Sequence, residues 1–107
     1  MGWIGVDFDG TLAMYDYWRG IHHTGEPIPL MVERVKDWIS SGIEVKVFTA
    51  RLDDGNREFA VRIIQEWCLK HIGQELPVTN VKTMSMIELW DDKAVRVEKN
   101  TGKRVCY

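Results

Sequence analysis

Cysteine is scarce in this 107-residue chain. Cys68 and Cys106 build no disulfide framework, and their spacing suits no metal site. Cys68 falls in a helical pattern, where a thiol behaves as a small buried hydrophobe. Long apolar runs are missing too: none approaches the ~20 residues that a membrane-spanning helix needs. The first residues lead directly into a strand pattern, which leaves no room for a signal peptide and points to a cytoplasmic protein. Nor does one charge dominate. The 14 Lys and Arg and 16 Asp and Glu are interspersed for a net charge of −2, so no basic stripe marks a tight DNA binder. Repeats and low-complexity tracts are absent. With 45% hydrophobic residues, positions 1–107 read as one domain able to bury a core.

What is present reads as β–loop–α–β–α–β–β–β. The apolar run Trp3-Ile4-Gly5-Val6 is a strand, and 13–27 is irregular. Met31, Val32, Val35, Trp38 and Ile39 recur at helical spacing within 29–41, with Gly42 as the stop. A strand at 43–48 and a helix at 57–72 follow. That helix turns Ala60, Ile63, Ile64, Trp67 and Cys68 inward, with Asp53 or Asn56 as its cap and Gly73 as its end. Short strands are expected at 77–82 and 86–91. Segments 95–98 and 104–107 then pair as a hairpin around Asn100-Thr101-Gly102.

The chemistry concentrates where strands end. Asp7 and Asp9 close the first run at i and i+2, and on extended backbone such residues share a face. Gly10-Thr11 behind them permits a sharp turn whose N–H groups could face an anion. Two acids beside an anion-binding turn suit a phosphate held through Mg²⁺, with one carboxylate free to attack phosphorus. Three other apolar runs end in Thr49-Ala50-Arg51, Lys82 and Asp91-Asp92. In open parallel sheets ligands bind at the carboxyl ends of strands, so four such ends would assemble one pocket.

These motifs resemble those of the haloacid dehalogenase-like (HAD) hydrolases, Mg²⁺-dependent phosphatases with an aspartate nucleophile. Asp7-Phe8-Asp9-Gly10-Thr11 matches the family's first motif, Val47-Phe48-Thr49 the second, Lys82 the third and Asp91-Asp92 the fourth. The resemblance implies a three-layer Rossmannoid α/β fold with a short, mainly parallel sheet. It implies Asp7 as nucleophile, forming an aspartyl-phosphate, and Asp9 as general acid and base. Mg²⁺ would be held by Asp7, the backbone carbonyl of Asp9, and the Asp91-Asp92 pair, with Asp92 favoured as the direct ligand. Thr49 would donate to the phosphate and Lys82 would neutralise it, with Gly10, Thr11, Ala50 and Arg51 lining the substrate. Dehalogenases of the superfamily typically lack an acid at the Asp9 position, so phosphate esters are the expected substrates.

Cap domains of that superfamily are inserted after the first motif or between the second and third. Here only about 17 residues separate Thr11 from the first helix, against ~50 for a small domain. A capless, open site is expected, with a nucleotide or nucleic-acid end phosphate as the favoured substrate, or with a second subunit supplying a lid. Arg51 grips a second phosphate or a carboxylate of the substrate, or pairs with Asp53, Asp54 or Glu58. The loop 13–27 carries Tyr15, Tyr17, Trp18, His22 and His23. The preferred reading packs its aromatics on the core and leaves its histidines solvated; the alternative is a small lid that stacks on a base or sugar. Trp3 and Trp90 are expected to pack beneath the site. A phosphate-binding module without turnover, or phosphotransfer to an acceptor other than water, are the competing functions.

Overall fold

The computed structural model describes residues 2–53 and 55–106. Four strands, β1 (Trp3–Asp7), β2 (Glu44–Phe48), β3 (Val78–Thr79) and β4 (Met86–Trp90), form one sheet in the order β3-β2-β1-β4. Every pairing is parallel, with Asp7 opposite Phe48 and Val6 opposite both Val47 and Trp90. Two helices accompany it, α1 (Pro29–Ser40) and α2 (Arg57–His71). β1, β2, β4 and both helices therefore form within a residue or two of their expected ends, while β3 is shortened to two residues and the terminal hairpin forms no strand among the described residues. No helix among the described residues is long and apolar enough to cross a membrane.

The alternation of β1 explains the core. Ile4, Val6 and, beyond the strand, Phe8 point to one face and are buried together with Val45 and Val47 of β2. Both helices supply that same cluster, α1 through Met31, Val32 and Val35, and α2 through Ile64, Trp67 and Cys68. This follows from handedness: right-handed crossovers from β1 to β2 to β3 advance in one direction and leave both helices on one face. The return from β3 to β4 is a loop over 80–85. Among the described residues no helix lies on the second face, so the fold has two layers rather than the expected three. The consequence is visible on β4, where Ile87 remains 63% exposed.

Two smaller expectations are also corrected. The C-terminal hairpin is reduced to one antiparallel bridge, Val97 with Arg104, flanked by Glu98 N–H donating to the Lys103 carbonyl and Val105 N–H to that of Arg96. Tyr107, which was to join it, lies outside the described residues. Trp3 is buried but stands at the start of β1, away from the strand ends that carry the motifs. Its indole donates to Thr83 Oγ1 at 2.9 Å, tying the 80–85 crossover to the sheet. Trp90 does stand at the motif end and packs against Trp38, with ring centroids 5.1 Å apart.

The chain reverses direction between β2 and β4, on either side of β1. In parallel α/β sheets such a switch point opens a crevice at the carboxyl edge. Asp7, Thr49 and Asp91 are the residues that emerge there.

Candidate active site

Asp7 ends β1, and Asp91 and Asp92 follow β4 directly. Parallel pairing of the two strands delivers all three side chains to one place, with a carboxylate oxygen of each within 4.8 Å of the others. Thr11 locks the arrangement. Its hydroxyl donates to Asp92 Oδ1 at 3.3 Å and accepts the Asp92 backbone N–H at 3.1 Å. Gly10 is required at this point: its φ is +88°, and a Cβ would stand 2.6 Å from Asp92 Oδ2. Asp91 is fixed separately, its Oδ1 accepting the N–H groups of Lys93 (2.7 Å) and Ala94 (3.2 Å). Burial, a hydrogen bond with the Asp92 side chain and the charges of Asp91 and Asp92 push the Asp7 carboxyl up to about 7.

Asp9 does not join this trio through its side chain. Its carboxylate turns to Arg51, which donates from Nε and Nη2, both at 2.8 Å, in a bidentate fork. The other bonds of Arg51 go to the 13–27 loop: Nη2 to the His23 carbonyl at 2.8 Å and Nη1 to that of Ile21 at 3.3 Å. The guanidinium also sits over Phe8 and Trp18, at 5.3 and 4.9 Å from the ring centroids. Arg51 is 6% exposed, with all three nitrogens engaged inside the protein. The expected pairing is thereby corrected: among the described residues its acidic partner is Asp9 rather than Asp53 or Glu58, and Nε and Nη2 are spent inside the protein. Asp53 instead accepts from Asn80 Nδ2 at 2.9 Å, and Asp54 lies outside the described residues. The reason is tertiary: the 3-10 turn Ala50–Asp53 aims the arginine back across the end of β2 toward the first motif.

The expected anion nest is also corrected. The N–H of Gly10 donates to the Ala13 carbonyl at 2.8 Å, and those of Thr11, Leu12 and Ala13 to that of Phe8. The first-motif turn is closed on itself, so its glycine and threonine shape the acid cluster without offering these donors to a ligand.

One cavity of about 420 Å³ receives Asp7, Asp9, Thr49, Ala50, Arg51 and Asp91. Thr49 is buried, and its oxygen accepts the Arg51 backbone N–H at 3.1 Å, which leaves the O–H to donate. Lys82 is exposed and lines an adjoining cavity shared with Asp91 and Trp90, beside the one that holds Asp7. Lys93 lines the Asp7 cavity and was missed by sequence reasoning. Its signal was its place two residues after Asp91, where the turn closed by Asp91 Oδ1 returns the chain to the site. Tyr15 and Trp18 line the same cavity, 46% and 45% exposed. The preferred expectation that the loop aromatics pack on the core is thus overturned, while His22 and His23 are exposed as expected.

No family model and no curated protein matches this chain. Among solved structures, the chain is similar to one described as the conserved protein coded by a locus from Bacteroides thetaiotaomicron. The similarity covers 86% of this chain and 76% of that one, at 26% identity and a TM-score of 0.62. The two share their architecture over most of both chains.

Proposed function

We propose that this protein is a Mg²⁺-dependent phosphomonoester hydrolase of the HAD type, working through Asp7. The observation that carries the proposal is the convergence of Asp7, Asp91 and Asp92 at the switch point of a parallel sheet, in contact with a cavity that also receives Asp9 and Thr49. Three carboxylates so close repel one another and call for a cation or a shared proton. Their hard anionic oxygens are the donor type that Mg²⁺ takes, and the residues fit that ion. When bound, Mg²⁺ supplies charge neutralisation for phosphoryl oxygens.

The protein's own groups would act as follows. Asp7 attacks phosphorus in line with the leaving oxygen, and the ester bond breaks as the aspartyl-phosphate forms. The Thr49 hydroxyl donates to a phosphoryl oxygen. Losing one such donor raises barriers by roughly 3–4 kcal/mol in comparable acyl-transfer sites. Asp9 gives a proton to the leaving alkoxide and later takes one from the water that cleaves the aspartyl-phosphate. For that transfer at least one of its two bonds from Arg51 must open and the freed oxygen must first take a proton from solvent, since both oxygens accept N–H bonds here. Lys93, which lines the same cavity, offers positive charge to the transferred group, while Lys82 would have to reach in from the adjoining cavity to do so.

The Asp9–Arg51 fork also favours a second reading, a phosphate-binding module without turnover, because both Asp9 oxygens are occupied by internal donors. One experiment separates the two. Phosphate release is measured from an aryl phosphate, nucleotides, and 5′- and 3′-phosphorylated oligonucleotides, with Mg²⁺ and with chelator. Mg²⁺-dependent release that disappears in Asp7→Asn and falls sharply in Asp9→Asn is expected. Silence on every substrate while Mg²⁺ still binds would leave the binding module as the better reading. A rise in transferred phosphate on adding an alcohol acceptor would mark a phosphotransferase.

A further inference from the structure

The 13–27 loop is fastened at both ends and along its length. Ile28 N–H donates to the Leu12 carbonyl and Met14 N–H to that of Glu26, each at 2.8 Å, closing its neck. Trp67 Nε1 reaches the Gly25 carbonyl at 2.9 Å, and the His22 ring meets Phe59 edge-on at 4.8 Å. Gly25 is packed so tightly that a Cβ there would fall 1.9 Å from the Met14 carbonyl oxygen. Arg51 adds its two bonds to the carbonyls of Ile21 and His23. Such a loop is held in one shape, yet it leaves Tyr15 and Trp18 about half exposed at the rim of the cavity that holds Asp7.

Covering the exposed ring surface of Tyr15 and Trp18 at the cavity rim with an apolar face of a ligand would remove that area from water. One side of Trp18 is already occupied by the Arg51 guanidinium, which sets the orientation of the ring. The cavity is thus divided, with acids and Thr49 at the sheet edge and aromatic rings at the loop. Its volume of about 420 Å³ lies within the range of small-ligand sites and exceeds what a bare phosphate needs.

We infer that Tyr15 and Trp18 form a stacking subsite for a planar ring in the leaving group, so that the preferred ligands are nucleoside monophosphates rather than sugar phosphates. The inference rests on the phosphomonoester reading for what occupies the acidic end. Stacking of a base on an aromatic side chain corresponds to about tenfold or more in affinity. Adenosine 5′-monophosphate and ribose 5-phosphate share the sugar phosphate and differ in the ring, so they isolate that contribution.

The test is calorimetric binding of these two ligands in the presence of Mg²⁺, to the wild-type chain, Tyr15→Ala, Trp18→Ala and Trp18→Phe. Wild type should prefer the nucleotide by about tenfold or more. Tyr15→Ala and Trp18→Ala should each shrink that ratio severalfold, and Trp18→Phe should restore most of it. Because Trp18→Ala also uncovers Arg51, a thermal melt accompanies each variant, and Tyr15→Ala carries the test if Trp18→Ala unfolds. Equal affinity for both ligands, no binding of either, or a ratio untouched by these variants overturns the inference. Nucleotide preference without phosphate release would keep the subsite and remove the phosphatase reading. Equal turnover of both esters would do the reverse.

Discussion

Asp7 and Asp9 are two residues apart, line one cavity and meet opposite neighbours. Asp7 faces Asp91 and Asp92 and is pushed up to about 7, whereas Asp9 receives two N–H bonds from a buried arginine. On the acid side the three carboxylates face one another, and their mutual charge raises Asp7. The arginine side is complete within the protein, since its guanidinium also holds the loop. Charge near a cavity does not by itself identify a ligand contact. Arg51 is a structural hub, while the acids, Thr49, Lys93 and the two rim aromatics line the same cavity.

The sharpest way to break this comparison is to neutralise each acid in turn. Asp7→Asn should abolish phosphate release outright, while Asp9→Asn should leave a residual rate, both read by a phosphate assay with Mg²⁺ present. Next in size is Arg51→Ala, which strands the Asp9 carboxylate and two loop carbonyls. A loss of about 3–5 kcal/mol in denaturant unfolding is expected, as for removal of one partner of a buried pair. Arg51→Lys should recover little, because an ammonium cannot reproduce the fork. A loss below about 1 kcal/mol would mean the hub is dispensable.

The pH dependence sharpens the acid side. Asp7 keeps its proton in the folded chain up to about 7 but loses it near 3.8 when unfolded. The folded state therefore binds more protons between those values, and stability falls as pH rises from about 4 to about 7. In metal-free buffer the loss should be about 2 kcal/mol, the full shift being discounted for the solvent that reaches Asp92. Mg²⁺ should reduce it, and Asp7→Asn should flatten it. Smaller still is Trp67→Phe, which removes the bond to the Gly25 carbonyl and should cost about 1 kcal/mol. Thiol labelling of the folded protein completes the series without perturbing it. Exposed Cys106 should react promptly, and Cys68 should not, because burial pushes its thiol up to about 12.

The elements and the acids were legible in the sequence because their signals are local. A continuous apolar run marked β1 and an alternating one β2, helical spacing of Met31, Val32 and Val35 marked α1, and Asp7 and Asp9 marked the end of the first strand. The layer count was misread although the signal was local: the strands expected at 77–82 and 86–91 leave no room for a helix between them, and the third layer came from the family resemblance alone. The partner of Arg51 was not legible, because Asp9 lies 42 positions away and meets it only through the β1–β2 pairing. For the same reason the loop aromatics were misjudged: burial depends on what the loop is tied to, and its ties run to Arg51, Phe59 and Trp67 on distant elements.

The sequence by itself therefore determined the strands, the helices and the acidic residues that close the strands, because backbone periodicity and turn chemistry act between near neighbours. The meeting of Asp7 with Asp91 and Asp92 followed from their places at strand ends, whereas only the packed fold decided that Asp9 is held by Arg51 and that Tyr15 and Trp18 line the cavity. Those outcomes depend on sheet order and on which distant groups satisfy one another once water is excluded.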